Sequence, residues 1–121
     1  MVSFDEFMNS IVFAYSLLAV AIIAEVTGST FLVKSQGFTK LVPSLLVVFF
    51  YVISFYLLSH VIKTIPLGIA YAIWAGVGII LTALVGYFIF KQSLDFAAIA
   101  GIGLIISGVL VINLFSTSAG H

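Results

Sequence analysis

The chain has 121 residues, is 64% apolar and 7% charged, and its four lysines and four acids cancel to a net charge of zero. Soluble globular domains run at about 45–50% apolar and about 25% charged, and a short soluble chain has much surface to cover with polar groups. The composition therefore excludes a soluble domain, a disordered chain and a nucleic-acid binder, which needs basic excess, while the absence of cysteine excludes disulfide scaffolds, thiolate metal sites and thiol redox chemistry.

An integral membrane protein remains. A helix crosses the ~30 Å hydrocarbon core with about 20 mainly apolar residues. Cutting the sequence at its lysines and at Asp95 leaves four such stretches, which predicts a single all-α transmembrane domain over residues 1–121. None of the four alternates as a membrane β-strand would. Residues 1–10 carry Asp5 and Glu6 where a signal peptide has its positive segment, so they read as an N-terminal extension.

The first predicted span, residues 11–33, contains Glu25. A charge at that depth costs at least ~2.5–3.5 kcal/mol, so an ionisable residue there is a functional candidate by default. No lysine or arginine lies inside any span to pair with it. Two readings are open: a protonated glutamate that hydrogen-bonds between helices, or a site for protons and cations. Ala21, Gly28 and Ser29 stand at i−4, i+3 and i+4 from Glu25 and share its face. Small residues there either allow close helix packing or leave room for a ligand to reach the carboxylate.

A turn-forming loop follows at residues 34–40, with Ser35, Gln36 and Gly37. The second span, 41–62, tolerates Pro43 because the proline falls in its first turn. Tyr51, Ser54, Phe55 and Leu58 recur at i, i+3, i+4 and i+7 there, an aromatic face with one hydroxyl that suits either packing or a pocket wall. In the second loop, 63–66, Pro66 turns Ile65 away from helical angles. The third span, 67–90, puts Tyr71 and Trp74 on one face, and Trp74 is the only tryptophan. An interfacial aromatic belt suits Tyr71 better than Trp74, which lies two turns inside Pro66. Buried aromatic faces also attract cations. After the loop 91–95, Asp95 is a good N-cap for the fourth span, 96–115. That span holds no ionisable residue and carries Ala97-xxx-Gly101 and Gly103-xxx-Ser107, with Gly101 and Gly108 one heptad apart. Such small-xxx-small patterns suit a dimer interface.

Short loops force consecutive spans to run antiparallel, an up-down-up-down bundle. Lys34, Lys40 and Lys91 lie on the side of the first and third loops and Lys63 on the other, which favours loops 1 and 3 in the cytoplasm by a small margin. A bias so weak permits insertion in both orientations. Glu25 with the aromatic faces describes an acidic, aromatic-lined pocket for lipophilic cations. One carboxylate holds either a proton or a cation, which is the simplest physical route to exchange. Four helices are too few to enclose such a pocket, and no internal repeat is present to supply the inverted halves of larger transporters, so an antiparallel homodimer is expected. Neither a cofactor nor a metal is expected. An enzyme is disfavoured, because His60 stands at the end of the second span and His121 is the last residue, leaving Glu25 without a second titratable partner inside a span.

The run Ala24-Glu25-Val26-Thr27-Gly28-Ser29-Thr30 and the run from Ile65-Pro66 through Tyr71 and Trp74 to Gly76-Val77-Gly78 resemble the small multidrug resistance transporters. The likeness extends over about residues 18–113, including Ser35-Gln36-Gly37-Phe38. It implies a proton-coupled exporter of toxic cations in the cytoplasmic membrane, working as an antiparallel homodimer in which both copies of Glu25 form the shared site. It assigns Tyr71 and Trp74 to substrate contact and gating, Tyr51 and Ser54 to the pocket wall, and Gly76 and Gly78 to a hinge in the third helix. Ala24-Glu25-Val26 with Gly28 resembles the quaternary-ammonium subtype, and the Trp that the guanidinium-exporting subtype usually places shortly after the Glu is not present; export of guanidinium or polyamines, and a non-transporting assembly protein, are the alternatives. The chain departs from the family pattern at Val33, where a lysine is usual and Lys34 stands adjacent instead, at Lys63, and in residues 1–10.

Overall fold

The computed structural model describes residues 3–116; His121 lies outside them. Four helices follow in order: α1 Phe4–Lys34, α2 Leu41–Val61, α3 Leu67–Phe88 and α4 Phe96–Phe115. Each is long and apolar enough to cross a membrane.

Helix α1 starts at Phe4 rather than at residue 11, because Ser3 caps it by accepting a hydrogen bond from the Glu6 backbone N–H at 3.2 Å. Asp5 and Glu6 then fall in the first turn, where negative charge complements the helix dipole. The acidic segment is thus the first turns of a helix, not a tail outside it. At 31 residues, α1 is about 46 Å long at ~1.5 Å per residue, so it outreaches the hydrocarbon core and its acidic end stands beyond it. Helix α3 stops at Phe88, short of the expected residue 90, where Lys91 takes a left-handed conformation (φ 57°) and the Gln92 N–H bonds back to the Gly86 carbonyl at 2.9 Å.

The first loop is a tight left-handed turn, with φ of 49°, 72° and 63° at Gln36, Gly37 and Phe38. Only glycine adopts such angles freely, and the two flanking residues are held there by Ser35. The buried Ser35 hydroxyl donates to the Leu32 carbonyl at 2.7 Å and accepts from the Phe38 N–H at 3.1 Å. Its carbonyl accepts from Thr39 and Lys40 at 3.0 and 3.1 Å. This turn returns α2 directly alongside α1.

Helix α1 is the centre of the subunit. Ala14, Leu18, Ile22 and Val26 recur every fourth residue along it and form the core with Leu58, Val61, Ile65 and Ala70. Its packing partners are α2, most extensively, and α3, while α4 packs on α3. That last contact is close: a Cβ on Gly76 would lie 2.8 Å from Val109 Cγ2. No residue of α4 is buried. This helix is held to the subunit along one side only.

Candidate functional site

Three of the four helices build one site around Glu25. On α1, Ala21 and Gly28 are buried and Glu25 and Ser29 half-buried. The Ser29 hydroxyl donates to Glu25 Oε1 at 3.1 Å and also meets the Tyr51 hydroxyl of α2 at 2.8 Å. A serine has one proton to give. With that proton directed to Glu25, the Tyr51 phenol is the donor in the second bond, and the three groups form one chain from α1 to α2.

Close approach of the two helices makes this chain possible. A Cβ on Gly28 would lie 2.9 Å from Tyr51 Cδ1 and Cε1 and 3.3 Å from Phe50 Cβ, so only glycine lets the Tyr51 ring lie this near. About two turns earlier on α1, the buried Ser54 hydroxyl donates to the Ala21 carbonyl at 2.8 Å and ties α2 to α1. Gly28→Ala is expected to displace the Tyr51 ring and break its bond to Ser29. A net hydrogen bond is worth about 0.5–1.5 kcal/mol, so cation affinity should fall about three- to tenfold, although alanine is the better helix former. Fluorescence titration of a cationic dye checks it.

From α3 come Tyr71 and Trp74, stacked with ring centroids 6.1 Å apart and planes 29° from parallel. Glu25, Tyr51, Phe55, Tyr71 and Trp74 line one cleft of about 320 Å³. Two of its aromatic members are open to the outside of the subunit, Phe55 at 58% and Tyr71 at 47% exposure, while Tyr51 and Trp74 are half-buried. Four aromatic rings with one carboxyl offer an apolar cation both a hydrophobic enclosure and a counter-charge. No lysine competes for that carboxyl: Lys34 ends α1, Lys40 precedes α2, and Lys63 and Lys91 lie in loops.

The remaining candidates stand elsewhere. Ala21, Gly28 and Ser54 do not line the cleft but hold α1 against α2 behind it. Gly76 and Gly78 are buried in an α3 that runs as one continuous helix; Gly76 faces Val109, and a Cβ on Gly78 would lie 3.6 Å from Trp74 Cδ1. Gly101 and Gly108 of α4 have nothing within 4 Å of an added Cβ, and the exposed Ser107 hydroxyl bonds its own helix at the Gly103 carbonyl.

A second, smaller cavity of about 200 Å³ lies on the other side of Ser29, and Thr30, Thr82 and Gln92 line it as well. Thr30 closes the run around Glu25 without a role assigned to it there, and Thr82 and Gln92 belong to no motif. The one cue in the sequence is that Thr82 is the only serine or threonine of α3.

Comparison with known proteins covers most of the bundle. The family model for the Small Multidrug Resistance protein matches residues 13–105. A multidrug transporter of Pseudomonas aeruginosa is 54% identical over 107 residues, 88% of this chain and 97% of the relative. The quaternary ammonium compound-resistance protein QacF of Klebsiella aerogenes is 52% identical over 104 residues, 86% of this chain and 94% of the relative. The multidrug transporter EmrE of Escherichia coli is 50% identical over 107 residues, 88% of this chain and 97% of the relative.

Proposed function

The chain belongs to the small multidrug resistance family, and from that premise we propose that it exports lipophilic and quaternary ammonium cations across the cytoplasmic membrane in exchange for protons. The observation that carries this reading is the Glu25–Ser29–Tyr51 chain set in a cleft walled by Phe55, Tyr71 and Trp74. The cation's apolar body lies against the rings and its charge against Glu25. A proton takes the same carboxyl when the cation leaves, so the two are never held together. The cargo undergoes no covalent change: no second carboxyl, lysine or histidine lines the cleft with Glu25, since Asp5, Glu6, Lys34 and His60 stand in the end turns of their helices.

The working unit is an antiparallel homodimer. The cleft is open on one side, α4 has no buried residue, and Gly101, Ser107 and Gly108 present a face with space for a second helix. In the dimer the two copies of Glu25 share one cation. Access alternates between the two membrane faces as the subunits exchange conformations, with Gly76 and Gly78 giving α3 its freedom to bend. Each state is favoured by whichever ligand it holds more tightly.

The test is a titration of the detergent-solubilised protein with tetraphenylphosphonium across neutral pH, reading both binding and released protons. Competition for one carboxyl requires that affinity weaken as pH falls, by up to about tenfold per pH unit for each proton displaced. Protons should appear in the medium on binding. Affinity independent of pH, with no proton release, would remove the exchange mechanism.

A further inference from the structure

The small cavity beside Ser29 differs from the cation cleft in size, lining and position. Its volume of about 200 Å³ is below the about 300–1,000 Å³ of sites that take drug-sized ligands, but leaves room for several waters. It runs along α1 from Val26 to Val33 and along α3 from Thr82 to Gly86, and reaches Phe90 and Gln92 just after α3, toward the side of the first and third loops. Glu25, Tyr51, Phe55, Tyr71 and Trp74, which line the cleft, do not line this cavity.

Its polar groups are arranged to accept from water. The Thr30 hydroxyl gives its proton to the Val26 carbonyl at 2.9 Å, and the Thr82 hydroxyl gives its own to the Gly78 carbonyl at 2.8 Å. Both oxygens keep lone pairs for the cavity. Gly86 makes room for the Gln92 carboxamide, since a Cβ there would lie 2.9 Å from Gln92 Oε1. No lining residue is ionisable. Toward its inner end, beside Val26, stands Ser29; with its hydroxyl proton on Glu25 Oε1 it accepts from Tyr51, so one lone pair is left for a water.

We propose that this cavity is an aqueous vestibule through which protons reach Glu25 separately from the cation cleft, with the Ser29 hydroxyl as the relay between them. The inference rests on Glu25 being the proton and cation site. A hydronium in the vestibule protonates Ser29 Oγ while the existing Ser29 proton passes along its hydrogen bond to Glu25 Oε1. The products are a water, an intact serine hydroxyl and a neutral carboxyl. Rotation of the hydroxyl resets the relay, and the reverse sequence releases a proton when a cation arrives from the other side of Glu25. The cation is too large for this route, so proton and cation need not pass each other in one opening.

The native chain has no cysteine, so thiol labelling of single-cysteine variants of the full protein tests the vestibule. Thr82→Cys is expected to react with a water-soluble, negatively charged methanethiosulfonate reagent. Leu84→Cys, on the opposite face of α3 in an apolar groove beside Ile80 and Ile102, should not. Labelled Thr82→Cys should bind tetraphenylphosphonium with affinity within about twofold of the unlabelled variant. Its proton release, followed by stopped flow with a pH indicator, should slow by at least about tenfold, in keeping with the size of positioned proton-transfer effects. Ser29→Ala should slow the same step and Ser29→Thr restore it. An unreactive Thr82→Cys, or labelling that leaves the proton step at its original rate, overturns the vestibule and leaves the Glu25 reading standing. Absence of cation-linked proton release from the unsubstituted protein would instead defeat the Glu25 reading itself.

Discussion

Glu25→Gln is expected to abolish cation-linked proton release and to reduce resistance of cells to quaternary ammonium compounds to the level of cells lacking the protein. Glutamine keeps the shape and can still accept a hydrogen bond from Ser29, which lies 3.1 Å from Glu25 Oε1 in the native chain. The substitution therefore removes the charge and the titration and leaves packing almost unchanged. Two unit charges 4 Å apart attract by about 4 kcal/mol at an effective dielectric of 20, and desolvation of the carboxylate offsets part of that. A loss of about two orders of magnitude in cation affinity, about 2.7 kcal/mol, is the expected outcome. Glu25→Asp supplies the contrast, since it keeps the charge on a shorter arm and should still release protons with weaker binding. Equilibrium titration in detergent with a pH indicator reads both quantities. A Glu25→Gln protein that binds the cation normally and still releases protons would sink the proposed site.

The second large effect concerns α4. Gly101→Leu and Gly108→Leu are expected to leave the subunit fold intact and to break the dimer. Nothing lies within 4 Å of a Cβ added at either position, and leucine is the better helix former, so neither substitution has a reason to unfold α4. Each would place a bulky side chain where a partner helix needs close approach. Association should weaken by at least about tenfold, about 1.4 kcal/mol, and export should fall with it, because the cleft of one subunit is open on its aromatic side. Cross-linking in native membranes, scored beside resistance, measures both. Gly76→Leu tests the opposite situation: a side chain there meets Val109 at once, so it should detach α4 from its own subunit and lower thermal stability in detergent.

Much of the site was legible before any fold was known, for reasons that differ by residue. Glu25 stands out because a carboxyl inside an apolar span is costly in lipid and marks a functional candidate by default. Tyr71 and Trp74 were paired by their spacing, and they do stack. Ala21 and Gly28 share a face with Glu25, and Ser54 with Tyr51, yet all three sit behind the cleft and join α1 to α2. Helical periodicity tells which residues share a face; it does not tell how far a neighbouring helix covers that face. The acidic start of α1 was misplaced for a related reason. A cut based on apolar residues does not register a serine cap and two acids that suit a helix dipole, and both are present at Ser3, Asp5 and Glu6.

From the amino-acid sequence alone come residence in the membrane, four helices in alternating direction and a single carboxyl within their apolar spans. These depend on composition and on backbone periodicity, which are properties of neighbouring residues. Only the tertiary structure decides that Ser29 bridges Glu25 to Tyr51, that a polar cavity and an aromatic cleft lie on different sides of that serine, and that α4 is left uncovered. Those outcomes follow from how each helix is rotated and how closely it approaches another. Contacts such as Gly28 against Tyr51 and Gly76 against Val109 set both. Each of these contacts joins residues of two different helices, so no local pattern could specify it.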